Sequence, residues 1–356
     1  MTESQEGSYM GTPAKQGIRF TDYSGDMPHL NFKYDEDYYP RSADIPDPQV
    51  NPVIPGARVA IQKVGVSGVD LPIDFIRRDG TVQTLHASVS LYGSLDSPDV
   101  KGLNLSRFPI VMHAELASHV SITGVKNILS KLQAKQGSEN IYCKMKFKYP
   151  WTQEALRTRK QLPDVKPDGS AWSESDPEVF MIDDGKVWSH EKAVGHIFYD
   201  CILEGQLRKG EYVFFLTVQY VFSSTCPCSF TLAQDAIQKR GQAANGHSQR
   251  STAQITVQFN PDRPVYIEDI VEMARIQVPT ETVVICRRID EAAFAELNGS
   301  NLNFVEDTSR LFYEGLDAMF DAGKIQDFRV VTDHLESLHN WNATAIICKN
   351  APDGLR

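Results

Sequence analysis

What the chain lacks narrows the field first. No hydrophobic run reaches the roughly 18 residues that a membrane span needs. Positive charge is in deficit: among 356 residues, 36 Lys and Arg face 46 Asp and Glu, for a net charge of −10. A phosphate backbone demands a basic face, so nucleic acid is excluded as the main partner. A small anionic substrate stays open, because a local arginine cluster can sit in an acidic protein. Cysteine is scarce, with six residues. That count in a chain this long, two of them in Cys-Pro-Cys, does not read as a disulfide framework. The N-terminus is polar and has no apolar core of a secretory signal. The expected compartment is a reducing cytoplasm. Glycine-rich phosphate loops of the two common types are absent, as is visible similarity between the two halves.

What is present is a core-forming sequence, 41% hydrophobic, of a length that favours two domains. Residues 1–55, rich in Gly, Pro, Asp, Ser and Tyr without sustained periodicity, read as an extended or disordered arm. Strand-like β-branched residues follow at Arg58–Ile61 and Val69–Ile76. Asp79-Gly80 signals a turn, and Val82–Leu91 alternates as the returning strand. Ser106 is placed as the N-cap of a helix through Pro109 to Ala117. Val125–Leu132 reads as a second helix and Ile141–Lys148 as another strand. Pro150 to Lys192, with Pro163, Pro167 and Pro177, reads as a long insertion loop whose Arg157, Arg159 and Lys160 form a solvated face. Ala193–Leu207 and Tyr212–Ser223 are strands about an Arg208–Glu211 turn.

The second half repeats the order. Ser229–Lys239 is helical, Thr252–Phe259 alternates as a strand, and Tyr266–Ile276 is an amphipathic helix. Val283–Cys286 reads as a short strand, Asp290–Leu297 and Val305–Phe320 as helices, and Arg329–Thr332 and Ala343–Cys348 as closing strands. Strand pairs bracketing helix pairs, twice, fit an α+β fold with helices on one face of the sheet better than a doubly wound one.

The composition that most needs a chemical explanation is Thr225-Cys226-Pro227-Cys228-Ser229, followed by Gly246-His247-Ser248-Gln249-Arg250-Ser251. Thiolate and imidazole suit a first-row transition ion such as zinc or iron. The spacing of Cys226 and His247 is not that of a zinc finger, and no second cysteine pair completes a closed site, which favours an open, catalytic centre over a structural one. A buried structural Cys beside a loop His is the plainer alternative. Arg250 supplies a fork for a carboxylate or phosphate. Further along stand Arg287-Arg288 with Asp290-Glu291, Val305-Glu306-Asp307, and Glu336-Ser337-Leu338-His339-Asn340. In the last of these Glu336 could orient His339 for proton transfer. Taken singly, each reads equally well as a polar surface.

In this order, and together with Leu71-Pro72-Ile73, Arg78-Asp79-Gly80-Thr81-Val82-Gln83-Thr84, Lys101-Gly102 and Leu105-Ser106-Arg107-Phe108, these stretches resemble the type IB GTP cyclohydrolases. The resemblance runs from about residue 57 to 348. It implies two tandem tunnelling-fold (T-fold) modules with antiparallel sheets, here 56–209 (holding the insertion 150–192) and 210–356. It also implies opening of the guanine imidazole ring of GTP, with release of formate and formation of 7,8-dihydroneopterin triphosphate, the first step of folate biosynthesis. By position, Cys226, His247 and Glu291 match ligands of one divalent metal ion per site (zinc, iron or manganese), which would lower the pKa of a bound water toward about 7. Glu306 matches the carboxylate that grips the guanine edge, which adenine cannot satisfy. His339, with Glu336 beside it, matches the proton-transfer pair. Arg107, Arg250 and Arg288 are nominated for the triphosphate. The family implies a homo-oligomer, tetrameric or otherwise, with pockets where subunits meet.

The long arm, the insertion and the stretch between Cys226 and His247 depart from the shorter members of that family, and the last departure predicts a displaced His247. Two other readings compete: a nitrile reductase of the same fold, using a nucleophilic cysteine and a nicotinamide cofactor, and a non-catalytic metal or thiol module built on Cys226 and Cys228.

Overall fold

The computed structural model describes residues 37–45, 53–116, 120–350 and 355. Most of the predicted N-terminal arm lies outside them; within it, Ser42–Asp44 forms a short 3-10 turn. The first half of the chain runs β1 (Ile61–Ile76), β2 (Val82–Leu95), α1 (Arg107–Glu115), α2 (Ile122–Gln136), β3 (Asn140–Gln161), β4 (Val179–Asp183) and β5 (Lys186–Arg208). The second runs β6 (Glu211–Thr225), α3 (Pro227–Arg240), β7 (Ser248–Phe259), α4 (Ile267–Gln277), α5 (Arg288–Gly299), α6 (Val305–Asp321), β8 (Asp327–His334) and β9 (Ala343–Cys348). All nine strands join one antiparallel sheet in the order β1-β2-β3-β5-β6-β7-β8-β9, with β4 paired to β5. Among the described residues, no helix is long and apolar enough to cross a membrane.

The alternation read from the sequence sets which face is covered. On β3, Ile141, Cys143, Met145, Phe147 and Tyr149 are buried at every second position; on β7, Ser251, Ala253, Ile255, Val257 and Phe259 are. These residues point at the helices, and the intervening ones line the other face. At Gly205 a Cβ would stand 2.6 Å from Val125 of α2 and 3.0 Å from the Phe214 ring, so only glycine lets the helix settle against β5. Burial pushes the Cys143 thiol up to about 12, with the Glu204 charge adding to it, and raises that of Cys201 likewise. Both are inert core residues.

Several expectations need correction. Ser106 does precede the first helix, but its hydroxyl bonds Asn104 rather than capping the helix. The stretch 150–192 is not one loop: β3 continues through Pro150 to Gln161, and β5 begins at Lys186. The proline is tolerated because β2 pairs with β3 only as far as Phe147, so Pro150 has a strand partner, Phe198, on one side alone. Val283–Cys286 forms no strand. The chain pairs with β6 only around Glu281, through Ser223 N–H to Thr280 O (2.8 Å), and then leaves for β3, where the Val284 N–H meets Gln153 Oε1 (2.9 Å).

Besides the pairing of β5 with β6, the two halves are joined through α4 and the segment after it. Arg78, at the β1–β2 turn, reaches Asp269 (3.1 Å) and Glu272. The Tyr149 hydroxyl donates to buried Glu268. Buried Glu281 accepts from Gln153 Nε2 (2.8 Å), Arg275 Nε (2.9 Å) and the Tyr199 hydroxyl. Burial and the carboxylate partners raise both tyrosines far above their ordinary value, so they stay neutral donors.

Candidate active site

One end of the sheet collects most of the singled-out residues. There β6 ends, β7 begins, β8 ends, and α3, α5 and α6 present their N-termini. The reason is local. Pro227 fits the first turn of α3, where its missing N–H is no loss, and Cys226 therefore becomes the N-cap. The Cys226 N–H donates to the His247 carbonyl (3.2 Å), and the His247 N–H donates to Ser229 Oγ (2.9 Å). The intervening segment thus leaves and returns to the same point, which holds the His247 backbone beside Cys226.

The His247 ring is oriented by its neighbours. Gln249 Nε2 donates to Ser224 Oγ (2.9 Å), which turns Gln249 Oε1 toward His247 Nδ1 at 3.0 Å. An amide oxygen can only accept, so Nδ1 is the donor in this contact and Nε2 is the ring nitrogen left for another partner. Glu336 Oε2 stands 3.7 Å from the same Nδ1, and both side chains are largely buried. Ser224 is fixed in turn by Ser251 Oγ (2.8 Å).

The remaining candidates divide. Glu291, on the first turn of α5, lines a cavity of about 350 Å³ with Gly246, Ser248 and Cys286, next to His247 in sequence and space. Asp290 beside it is fully buried and accepts from the backbone N–H groups of Arg157 (2.7 Å), Thr158 (2.9 Å) and Arg287 (2.9 Å) and from the Thr158 hydroxyl. Burial alone would raise its carboxyl; those four donors override it and hold it at about 2. Glu306 occupies the first turn of α6, whose entry is fixed by the Phe304 N–H donating to Asp307 Oδ2 (3.3 Å).

Glu336 and His339 share a tight turn, His339 N–H to Glu336 O at 3.4 Å, but their side chains do not pair. Glu336 turns to His247, while the His339 ring stacks on Trp341 at 4.0 Å. Arg250 lies exposed, on the strand face opposite Gln249, and Arg288 opens α5. Arg107 is not brought here: it holds the Lys135 carbonyl at the other end of the sheet. The 15 residues of β6 separate the two ends by roughly 45 Å.

Sequence reasoning gave no role to Gln249, Ser224 or His334. His334 ends β8 with its side chain buried, its Nε2 without a partner among the described residues and its ring 5.9 Å from that of Phe222. Burial lowers its pKa to about 4 against the pull of Glu306 and Asp333, so it is neutral.

The donor set fits a divalent transition ion: a thiol at a helix N-terminus, an imidazole with its free nitrogen defined by an amide, and a carboxylate one residue past a buried anchor. Among the described residues, however, no three His, Cys, Asp or Glu side chains converge closely enough to hold an ion by themselves.

Comparison with known proteins places the whole chain in a family. The family model described as type I GTP cyclohydrolase folE2 matches residues 45–181 and 178–345. The chain belongs to that family. The protein called GTP cyclohydrolase FolE2 in Cereibacter sphaeroides (strain ATCC 17025) is 35% identical over 337 residues, covering 94% of this chain and 82% of the relative. Its namesake in Paracoccus denitrificans is 36% identical over 319 residues, covering 89% and 87%. Uricase from Arthrobacter globiformis overlays with a TM-score of 0.45 at 9% identity, over 83% of this chain and 95% of that one, a likeness too slight to bear on chemistry.

Proposed function

We propose that this chain is a GTP cyclohydrolase that opens the imidazole ring of guanine, releases formate and leaves 7,8-dihydroneopterin triphosphate for folate synthesis. The observation that carries the reading is the meeting of Cys226, His247 and Glu336 at one sheet end, in a chain of the folE2 family. Cys226 and His247, with Glu291 from across the adjoining cavity, would hold zinc, iron or manganese. When bound, such an ion acidifies water for addition to the purine.

The chain's own groups do the rest. Glu306, at the positive end of α6, accepts from guanine N1–H and the exocyclic amine, a donor pair that adenine does not offer. The imidazole nitrogens of the base gain protons as the ring opens. His339 supplies them, and Glu336 controls the charge around His247. Arg250 and Arg288 face the triphosphate from this chain. Arg107, at the opposite end, would serve the pocket of a second copy, consistent with a homo-oligomer in which sites form between subunits. The chain then divides at the Lys209-Gly210 turn into β1–β5 and β6–β9 units.

Incubation of the metal-loaded protein with GTP should give formate and, after oxidation, a fluorescent pterin. The absence of product with zinc, manganese and iron each supplied would overturn the proposal. NADPH consumption without formate would favour a nitrile reductase. Glu306→Ala should abolish guanine binding and keep the metal; losing the metal instead would reverse the roles assigned.

A further inference from the structure

On the side of α5 away from Glu291 lies a second cavity, of about 250 Å³, at the far end of the β3–β5 ribbon. Its wall carries Arg157, Arg159 and Arg287 with Phe180 and Trp188, against a single carboxylate, Asp183. A net positive pocket is unusual in a chain of net charge −10. Among the described residues, two of its arginines have no carboxylate partner. The Arg159 guanidinium lies 4.4 Å over the Phe180 ring and donates to the His190 carbonyl; that of Arg287 lies 4.7 Å over Trp188. Arg157 alone has an acid partner, exposed Glu296.

Stacking on an aromatic face fixes a guanidinium in its plane while leaving edge N–H groups for an anion, without the neutralisation a carboxylate brings. The pocket is also rigid. Thr158 and the backbone of Arg157 and Arg287 are tied together by the buried Asp290 carboxylate, so two cation-bearing segments, from β3 and α5, are fixed relative to each other. In a helix, Ile289 and Glu291 stand about 200° apart. Ile289 lines this pocket and Glu291 the other, so the two open on opposite faces of α5.

We propose that this pocket binds an oligophosphate chain, either free or as the tail of a nucleotide, at a place separate from the one where GTP reacts. Planar forks on two or three arginines match the repeated oxygens of such a chain better than a single carboxylate. The site does not depend on the cyclohydrolase reading. Because its walls include the turn that carries Glu291, an occupant would act on the reacting site through α5.

The test is calorimetric titration of the full-length protein with inorganic tripolyphosphate at low ionic strength, and with ATP in a second arm, in the absence of GTP. Arg159→Gln should weaken tripolyphosphate at least tenfold, and Arg287→Gln independently so. Lys160→Gln, removing an exposed neighbouring charge, should change it less than twofold. Tighter binding of ATP than of tripolyphosphate identifies a nucleotide; the reverse identifies a free oligophosphate. Equal weakening by all three variants would reduce the effect to general electrostatics and overturn the proposal, as would no binding at millimolar concentration. Displacement of tripolyphosphate by GTP in simple competition, with KM for GTP raised in parallel by Arg159→Gln, would also overturn it, because the pocket would then belong to the reacting site. Formate release from GTP, measured on the same samples, tests the proposed activity separately.

Discussion

Replacing Asp290 by asparagine isolates the anchor that sets α5 against β3. In the wild type one carboxylate oxygen accepts the N–H groups of Arg157 and Thr158, and the other accepts the Arg287 N–H and the Thr158 hydroxyl. The carboxyl is held at about 2 against an ordinary 3.8. At about 1.4 kcal/mol per pKa unit, the charged form is worth about 2 kcal/mol to the folded state. A depressed carboxyl gives that stability in full above the unfolded value near 3.8 and loses it as pH falls through about 2. Asparagine loses the charge and also turns an amide N–H₂ toward donors that need an acceptor. The expected cost is therefore larger, about 3–4 kcal/mol. Urea unfolding at pH 7 measures it, and hydrogen exchange at Arg157, Thr158 and Arg287 shows where it falls. A loss below 1 kcal/mol with those amides still protected would refute the assignment of Asp290 as the anchor. If α5 loosens as expected, Glu291 loses its fixed position and, under the metal role proposed for it, metal affinity falls in the same variant.

Three further outcomes are expected. Gln249→Leu should leave the fold stable and lower metal affinity about 10- to 100-fold by freeing the His247 ring; an unchanged affinity in chelator competition would show that Gln249 does not set the tautomer. His334, held neutral down to about 4, must gain a proton on unfolding below its ordinary 6.5. Stability should thus fall by about 3 kcal/mol as pH drops from 6.5 to 4, and His334→Leu should flatten that limb; an unaltered pH profile would refute its burial as neutral. Glu281→Ala strips the partner from Arg275, Gln153 and Tyr199 at once and should cost about 3–5 kcal/mol, read as a lower urea midpoint. A change under 1 kcal/mol would mean that this network adds little to the β5–β6 pairing in joining the halves.

How far the sequence was legible depended on how local each signal was. The β1–β2 turn at Asp79-Gly80 and strand β9 follow from near neighbours, and both stand where alternation and turn chemistry put them. Pro150 misled because a proline breaks a strand only if both edges are paired, and the end of β2 is not written near Pro150. Val283–Cys286 has strand composition, but the Gln153 side chain captures its backbone from β3. Within the candidate site, residue types singled out Cys226 and His247. The role of Gln249 was hidden because it needs Ser224 on the neighbouring strand, and the turn of Glu336 toward His247 needs the pairing of β7 with β8.

The clasp between Cys226 and His247 has a consequence for how this protein can vary. Residues 227–246 begin and end at one hydrogen-bonded point, so α3 and the loop after it form a closed excursion. Doubling the length of such an excursion costs only about 0.6 kcal/mol in closure entropy. Segments of different length can therefore be grafted between the two donors without moving either of them. This part of the chain can diversify, in length and in surface, while the chemistry at its base stays fixed.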